Sequence, residues 1–180
     1  YTRDQIRAGS LWALSPLTRK LPWNSKPPAL LPPARLHAEF SLIDVFICDP
    51  EGQQAIYRKI SKYRVLRPEL RAYQEGVTAE GYADEFTTMS GGILHTTTEH
   101  GFYMSTIALD DVAKQGERFV NLFRATLHGC FRKPTEHWTQ EVAFPTDALT
   151  LLVHFPADRP PRHFSSYMVR DGETRSALSS

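Results

Sequence analysis

Only two cysteines, Cys48 and Cys130, occur among the 180 residues, so no disulfide framework can substitute for a hydrophobic core. No apolar run approaches the roughly 18 residues that a membrane-spanning helix needs. A charged start followed by an apolar stretch and a small-residue cleavage site is also missing, which removes a signal peptide from the sequence in view. Catalytic signatures are equally scarce. There is no Gly-x-Ser-x-Gly elbow, and Ser90-Gly91-Gly92 lacks the lysine and the following helix of a phosphate loop. Nor is there an excess of one charge: 21 basic and 20 acidic residues leave a formal net charge of +1, which excludes a polycationic binder of duplex DNA.

What is present belongs to an ordinary globular domain. Hydrophobic residues make up 41% and charged residues 23% of the chain, near the averages for soluble proteins. The length suits one domain with an appended arm. Because the first residue is Tyr1 and not Met, the chain is read as a fragment of a larger protein, with membrane contact expected only through an anchor lying upstream.

The balanced charge hides a partition. Residues 1–35 carry six basic residues against Asp4 alone, which leaves 15 basic against 19 acidic in the remainder. Six of the 13 prolines, Pro16, Pro22, Pro27, Pro28, Pro32 and Pro33, fall in the same arm, and each disfavours helix at the preceding residue. Only Thr2 to Leu14 has room for a short helix, capped by Thr2. Trp12 and Trp23 among the arginines predict that this basic, proline-rich arm docks on its own domain, on a protein partner or on a second copy.

From Leu36 the pattern changes to short runs of period two, rich in β-branched and aromatic residues. Strands are predicted at Leu36 to Cys48, Ala55 to Leu66, Tyr82 to Met89, Ile93 to His100, Phe102 to Leu109, Arg118 to Phe131, His137 to Phe144, Leu149 to Phe155 and His163 to Arg170. One helical turn fits Asp110 to Gln115. The expectation is an all-β fold, an antiparallel β-sandwich or small β-barrel of about 8–9 strands over residues 36–172, with a disordered tail at 173–180. In Phe40 to Ile47 both phases are apolar except Asp44, so this strand should be central, covered on both sides or bulged near Leu42-Ile43. In Ala55 to Leu66 neither phase is cleanly apolar, which suggests an edge or a functional face. The plan resembles, in architecture alone, β-sandwich or small β-barrel sensor modules attached to membrane anchors or effector domains.

Candidate chemistry is sparse. His128, Cys130 and His137, with Cys48 upstream, have no recognised zinc spacing, and neither a metal nor a cofactor is predicted. Cys48 and Cys130 are read as two reduced, buried thiols of a cytoplasmic protein. The acidic groupings Asp84-Glu85, Glu99-His100 and Asp110-Asp111 diverge on a strand and do not face a shared substrate. The unusual feature is electrostatic. Arg58, Lys59, Lys62, Arg64, Arg67 and Arg71 stand against Glu69 alone within 14 residues, whereas Glu75 to Glu117 holds eight acids against Lys114. Either these charges answer each other across the sheet, or Arg58, Lys62 and Arg64, with Tyr57 and Tyr63 interleaved, hold an anionic ligand such as a nucleotide. The leading expectation is a non-catalytic binding or sensor module. The alternatives are an enzyme with a pocket inside a barrel, using His95, Glu99 or His128 as acid-base residues, and a structural dimerisation domain.

Overall fold

The computed structural model describes residues 6–8, 35–136, 138–163, 165, 167–170 and 173–176. Its strands are β1 (Ile6–Ala8), β2 (Leu36–Ile47), β3 (Gln54–Val65), β4 (Glu69–Thr78), β5 (Tyr82–Thr88), β6 (Gly91–Glu99), β7 (Phe102–Lys114), β8 (Arg118–His128), β9 (Leu149–His154), β10 (Tyr167–Arg170) and β11 (Glu173–Ser176). A wide sheet of six strands in the order β1-β9-β2-β3-β8-β5 packs on a narrow sheet of three, β4-β7-β6, and β10-β11 form a separate pair. The fold is therefore the expected β-sandwich. It is not a closed barrel, because the wide sheet ends at β1 and β5 without pairing them. Among the described residues the strands pair antiparallel except β2 with β9, which run parallel from Ser41 opposite Leu149 to Phe46 opposite His154, with a further parallel bridge between Ala38 and Thr146.

The core lies between the sheets. From β3 the residues Tyr57, Tyr63 and Val65 point inward, joined by Ile43 and Val45 of β2, Phe123 and Leu127 of β8, Val77 of β4 and Ile107 of β7, all essentially without exposed surface. Each such apolar side chain contributes about 1.5–3 kcal/mol when fully buried. Asn121 is buried with them and anchors the corner where the chain leaves the wide sheet for the narrow one. Its Oδ1 accepts from Thr88 Oγ1 at 2.7 Å and from the Met89 and Ser90 amides at 3.2 Å each.

Several elements differ from the sequence reading. β3 is central, between β2 and β8, not an edge. β2 is central as expected, but its bulge falls between Ala38 and Phe40 instead of at Leu42-Ile43, and its outer face is only partly covered, with Phe40 38% exposed. β4 carries no strand signal because a register shift between Leu70 and Ala72 breaks the period and because a carboxylate, Glu75, points inward. The helical turn at Asp110 to Gln115 is instead the end of β7, held by Leu70 and Glu69 opposite Ala113 and Lys114. Residues 138–144 are apolar enough to read as a strand, yet they pair with no ladder. They pack Trp138, Val142 and Phe144 onto the core as an irregular strap. In the tail expected to be disordered, Glu173–Ser176 pairs antiparallel with β10, from Arg170 opposite Glu173 to Tyr167 opposite Ser176. Ile6–Ala8, inside the stretch with room for a helix, is a strand because β9 offers it an edge. The rest of that stretch, and the expected docking of the arm, lie outside the described residues.

Replacing Asn121 with Ala should strip two main-chain amides of their acceptor. The expected loss is about 2–3 kcal/mol in urea unfolding, with the spectrum of the folded state unchanged.

Candidate functional site

Strand β3 places three of its four cations on the outer face of the wide sheet because period two alternates them with the core residues. Arg58, Lys62 and Arg64 point outward, with Arg118 and Arg124 beside them on β8, since Arg64 lies opposite Arg118 and Arg58 opposite Arg124. Tyr57 and Tyr63 point to the other face and are fully buried. The five sequence-derived candidates therefore do not form one surface: three cations lie outside, and the two tyrosines belong to the core.

Two carboxylates gather the outward cations of β3, and both come from β2, not from the acidic Glu75 to Glu117 stretch. Glu39 gathers Arg118 at 2.7 Å, Lys62 at 3.2 Å and Arg64 at 3.9 Å. The Arg118 guanidinium, with Lys62 behind it, holds the Glu39 carboxyl below its usual range despite some desolvation. Asp44 is 7% exposed and lies 3.3 Å from both Arg58 Nη2 and His154 Nε2. Above it Phe46 stacks on His154, with ring centroids 4.0 Å apart and planes within 1°. The Arg58 guanidinium sits 4.3 Å from the centroid of the same ring, a cation–π contact. Arg124 is exposed and has no carboxylate partner among the described residues.

Inside the sandwich lies a second polar cluster. Lys59, on the inward phase of β3, reaches Glu75 of β4 at 2.7 Å, and the Tyr63 hydroxyl donates to the other oxygen of Glu75 at 2.5 Å. Ser41 and Ser61 share a hydrogen bond of 2.8 Å, and the Tyr57 hydroxyl donates to Gln140 Oε1 at 3.0 Å. Burial, and then the charge of Glu75, push both phenols well above their usual range. Beside this cluster the strap leaves a cavity of about 10 Å³, near Ser41, Lys59, Tyr63 and Glu141, which has room for at most one water molecule. Burial raises the Glu141 carboxyl. A larger depression of about 340 Å³ is lined by Arg35, Arg67, Glu69 and Arg71 at the surface.

The groups considered for acid-base work are dispersed. His95 lies on the exposed face of the narrow sheet with Nε2 3.2 Å from Thr106 Oγ1. Glu99 is at the far end of the same strand, 3.8 Å from His100. His128 belongs to the wide sheet, where it pairs with Asp84 at 2.8 Å and stacks on Tyr82 at 4.3 Å between centroids. Among the described residues no group of three or more His, Cys, Asp or Glu side chains converges as metal ligands; His137 is outside them. Both described cysteines are free, but only Cys130 is buried, whereas Cys48 is exposed beyond the end of β2. Desolvation, followed for Cys48 by the charge of Asp49, raises both thiols, the opposite of an activated nucleophile.

The geometry defines a β-sandwich domain with one charged sheet face. No protein-family model matches the sequence, and no curated protein matches it either. Among solved structures, an M1 zinc metallopeptidase mutant from Deinococcus radiodurans, bound to a Tyr-Ser-Ala substrate, is similar with a TM-score of 0.45 and 11% identity. The likeness covers 78% of this chain and 38% of the peptidase. Among the described residues no helix is long and apolar enough to cross a membrane.

Two outcomes follow from the interior. Lys59→Met should destabilise the domain by about 3–5 kcal/mol, because Glu75 is left as an uncompensated buried charge, and adding Glu75→Leu should recover most of that loss in denaturant titrations. Glu141 has a folded-state pKa above its ordinary 4.5, so its contribution to stability is full below that value and is lost as pH rises toward the folded pKa. Glu141→Gln should therefore raise the melting temperature at neutral pH and leave it unchanged at acid pH.

Proposed function

We propose that this domain is a non-catalytic binding module of a larger protein, presenting the outer face of the wide sheet to an anionic ligand of the nucleotide or phosphate class. The observation that supports this reading is the imbalance on that face: Arg58, Lys62, Arg64, Arg118 and Arg124 stand against Glu39 and Asp44 across β2, β3 and β8, while the acids of β5, Asp84 and Glu85, bond His128 and Thr126. The side chains of Arg58, Lys62, Arg64 and Arg118 keep 42%, 50%, 41% and 53% of their surface exposed, so their donors are not consumed by the two carboxylates. Lys62 and Arg64, about 7 Å apart along the strand, have side chains long enough to converge on the oxygens of one phosphorylated ligand. Phe46 and His154 add a stacked aromatic surface beside them, which suits a base or another flat group. Two free cysteines fit a reducing, cytoplasmic setting.

The variants must separate binding from folding. Arg58 compensates the buried Asp44, so its removal perturbs stability as well. Arg124 and Lys62 are the clean positions. Calorimetric titration with ADP and with inorganic pyrophosphate should show binding that weakens steadily as salt is raised. The double variant Arg124→Gln, Lys62→Gln should lose about tenfold or more in affinity with an unchanged melting temperature. Absence of binding by both probes, or binding indifferent to salt, overturns the reading.

A further inference from the structure

Sheet edges are templates for pairing with other chains, and folded proteins ordinarily blunt them. Among the described residues three of the four edges of this sandwich are blunted. β1 is three residues long. β5 has a register shift between Asp84 and Thr87, and carries Asp84 and Glu85. β4 also shifts register, bears Glu69 and Arg71, and is capped by the Trp138 indole, which donates to the Thr78 carbonyl at 3.3 Å. β6 is different. From Gly91 to Thr98 it contains no proline and no Asp, Glu, Lys or Arg, and its only ladder is with β7. Its register shift lies early, between Ile93 and His95, and leaves His95–Glu99 as a regular run with Thr96, Thr97 and Thr98 at its centre.

The direction of the free backbone groups follows from the hairpin. β6 joins β7 through His100 and Gly101, with φ of 48° and 79°, the two-residue loop with both residues left-handed that matches strand twist. Such a loop closes on a hydrogen-bonded pair, here Glu99 with Phe102, and alternation makes Thr97 with Met104 the next one. Thr96 and Thr98 therefore turn their N–H and C=O groups away from β7, into the open edge.

We propose that β6 is a self-association edge, on which a second copy of this chain pairs its own β6 antiparallel about a twofold axis at Thr97. In that register Thr96 and Thr98 of one copy each meet the other residue of the second copy and exchange both backbone hydrogen bonds, so the two narrow sheets become continuous. Charge selects the register and the occupant. His95 and Glu99 lie two residues to either side of Thr97 on the same exposed face, so this axis sets each His95 opposite the Glu99 of the second copy. An axis at His95 would oppose the two imidazoles and leave each Glu99 facing a glycine. The present neighbours do not compete strongly: Glu99 is 3.8 Å from His100, with both side chains more than four-fifths exposed, and the exposed His95 shares a hydrogen bond of 3.2 Å with the neutral Thr106. This edge is independent of the charged face on the wide sheet.

The test uses the 180-residue chain. Sedimentation velocity over a rising concentration series should show a reversible monomer–dimer equilibrium. Thr98→Pro removes a donor that faces the open edge, a position where proline is tolerated, and should leave a monomer with an unaltered circular dichroism spectrum. His95→Glu or Glu99→Lys alone should weaken the dimer about fivefold, and the two together should restore it. In a Cys48→Ser background, Thr97→Cys should oxidise to a disulfide-linked dimer, because residues on the axis approach within disulfide range. The exposed Gln115→Cys serves as the collision control. A chain that stays monomeric throughout, with Thr97→Cys cross-linking no faster than that control, overturns the proposal, as does a dimer that survives Thr98→Pro. If Thr98→Pro unfolds the domain, the charge reversal decides: failure of the double variant to restore the dimer has the same consequence.

Discussion

Six strands in one layer present more inward-facing surface than three strands in the other can cover, and much of the rest of the fold answers that mismatch. The strap at 138–144 lies over the uncovered part, near β2 and β4. Trp138 binds the Thr78 carbonyl and Gln140 takes the Tyr57 hydroxyl, and just beyond it the Pro145 carbonyl accepts from the Ala38 amide and the Asp147 amide donates back to Ala38. A third layer of irregular chain thus does what further strands would otherwise do. Irregular backbone brings unpaired polar groups with it, and this is why polar side chains gather at the same place.

The polar groups that β3 and β4 bring into the interior are satisfied in a connected way. Lys59 and Tyr63 both serve Glu75, and Ser41 serves Ser61. A buried ion pair is not in itself a source of stability, because desolvation offsets most of the attraction. What such a pair does here is tie a specific residue of β3 to a specific residue of β4, across the two sheets. A slip by one residue in β3 would put Arg58, Lys62 and Arg64 into the core and Tyr57 and Tyr63 into water.

On the opposite face of β3 the same alternation has the reverse effect. Its cations stand in water, arranged but not neutralised by Glu39 and Asp44. The two faces of one strand therefore divide the labour: one specifies the sandwich, and the other holds charge on a rigid surface. The narrow sheet contributes a separate feature, a β6 edge that from Gly91 to Thr98 lacks the charged residues found on β4 and β5.

The sequence by itself determined the class of fold, most strand positions and the alternation in β3, because period two in a run such as Tyr57 to Val65 is a local property of the chain. It also located the cations at Arg58, Lys62 and Arg64. It did not reveal that Tyr57 and Tyr63 face inward while these face outward to water, since neither phase of β3 is cleanly apolar and burial depends on what packs above each phase. β4 was illegible for a related reason. Its bulge at Arg71 breaks the period, and Glu75 looks solvent-facing until Lys59 and Tyr63 are placed against it. Trp138, Val142 and Phe144 read as a strand because their apolarity is real, but whether an apolar segment pairs or merely covers depends on whether a free sheet edge lies within reach. Which carboxylates meet the cations was decided by strand order alone: β2 lies beside β3 and brings Glu39 and Asp44, whereas of the acid-rich stretch only Glu75 reaches a cation of β3, and it does so from the other sheet. Long-range pairing of this kind is chosen by the whole set of strands competing for neighbours, and no local pattern encodes it.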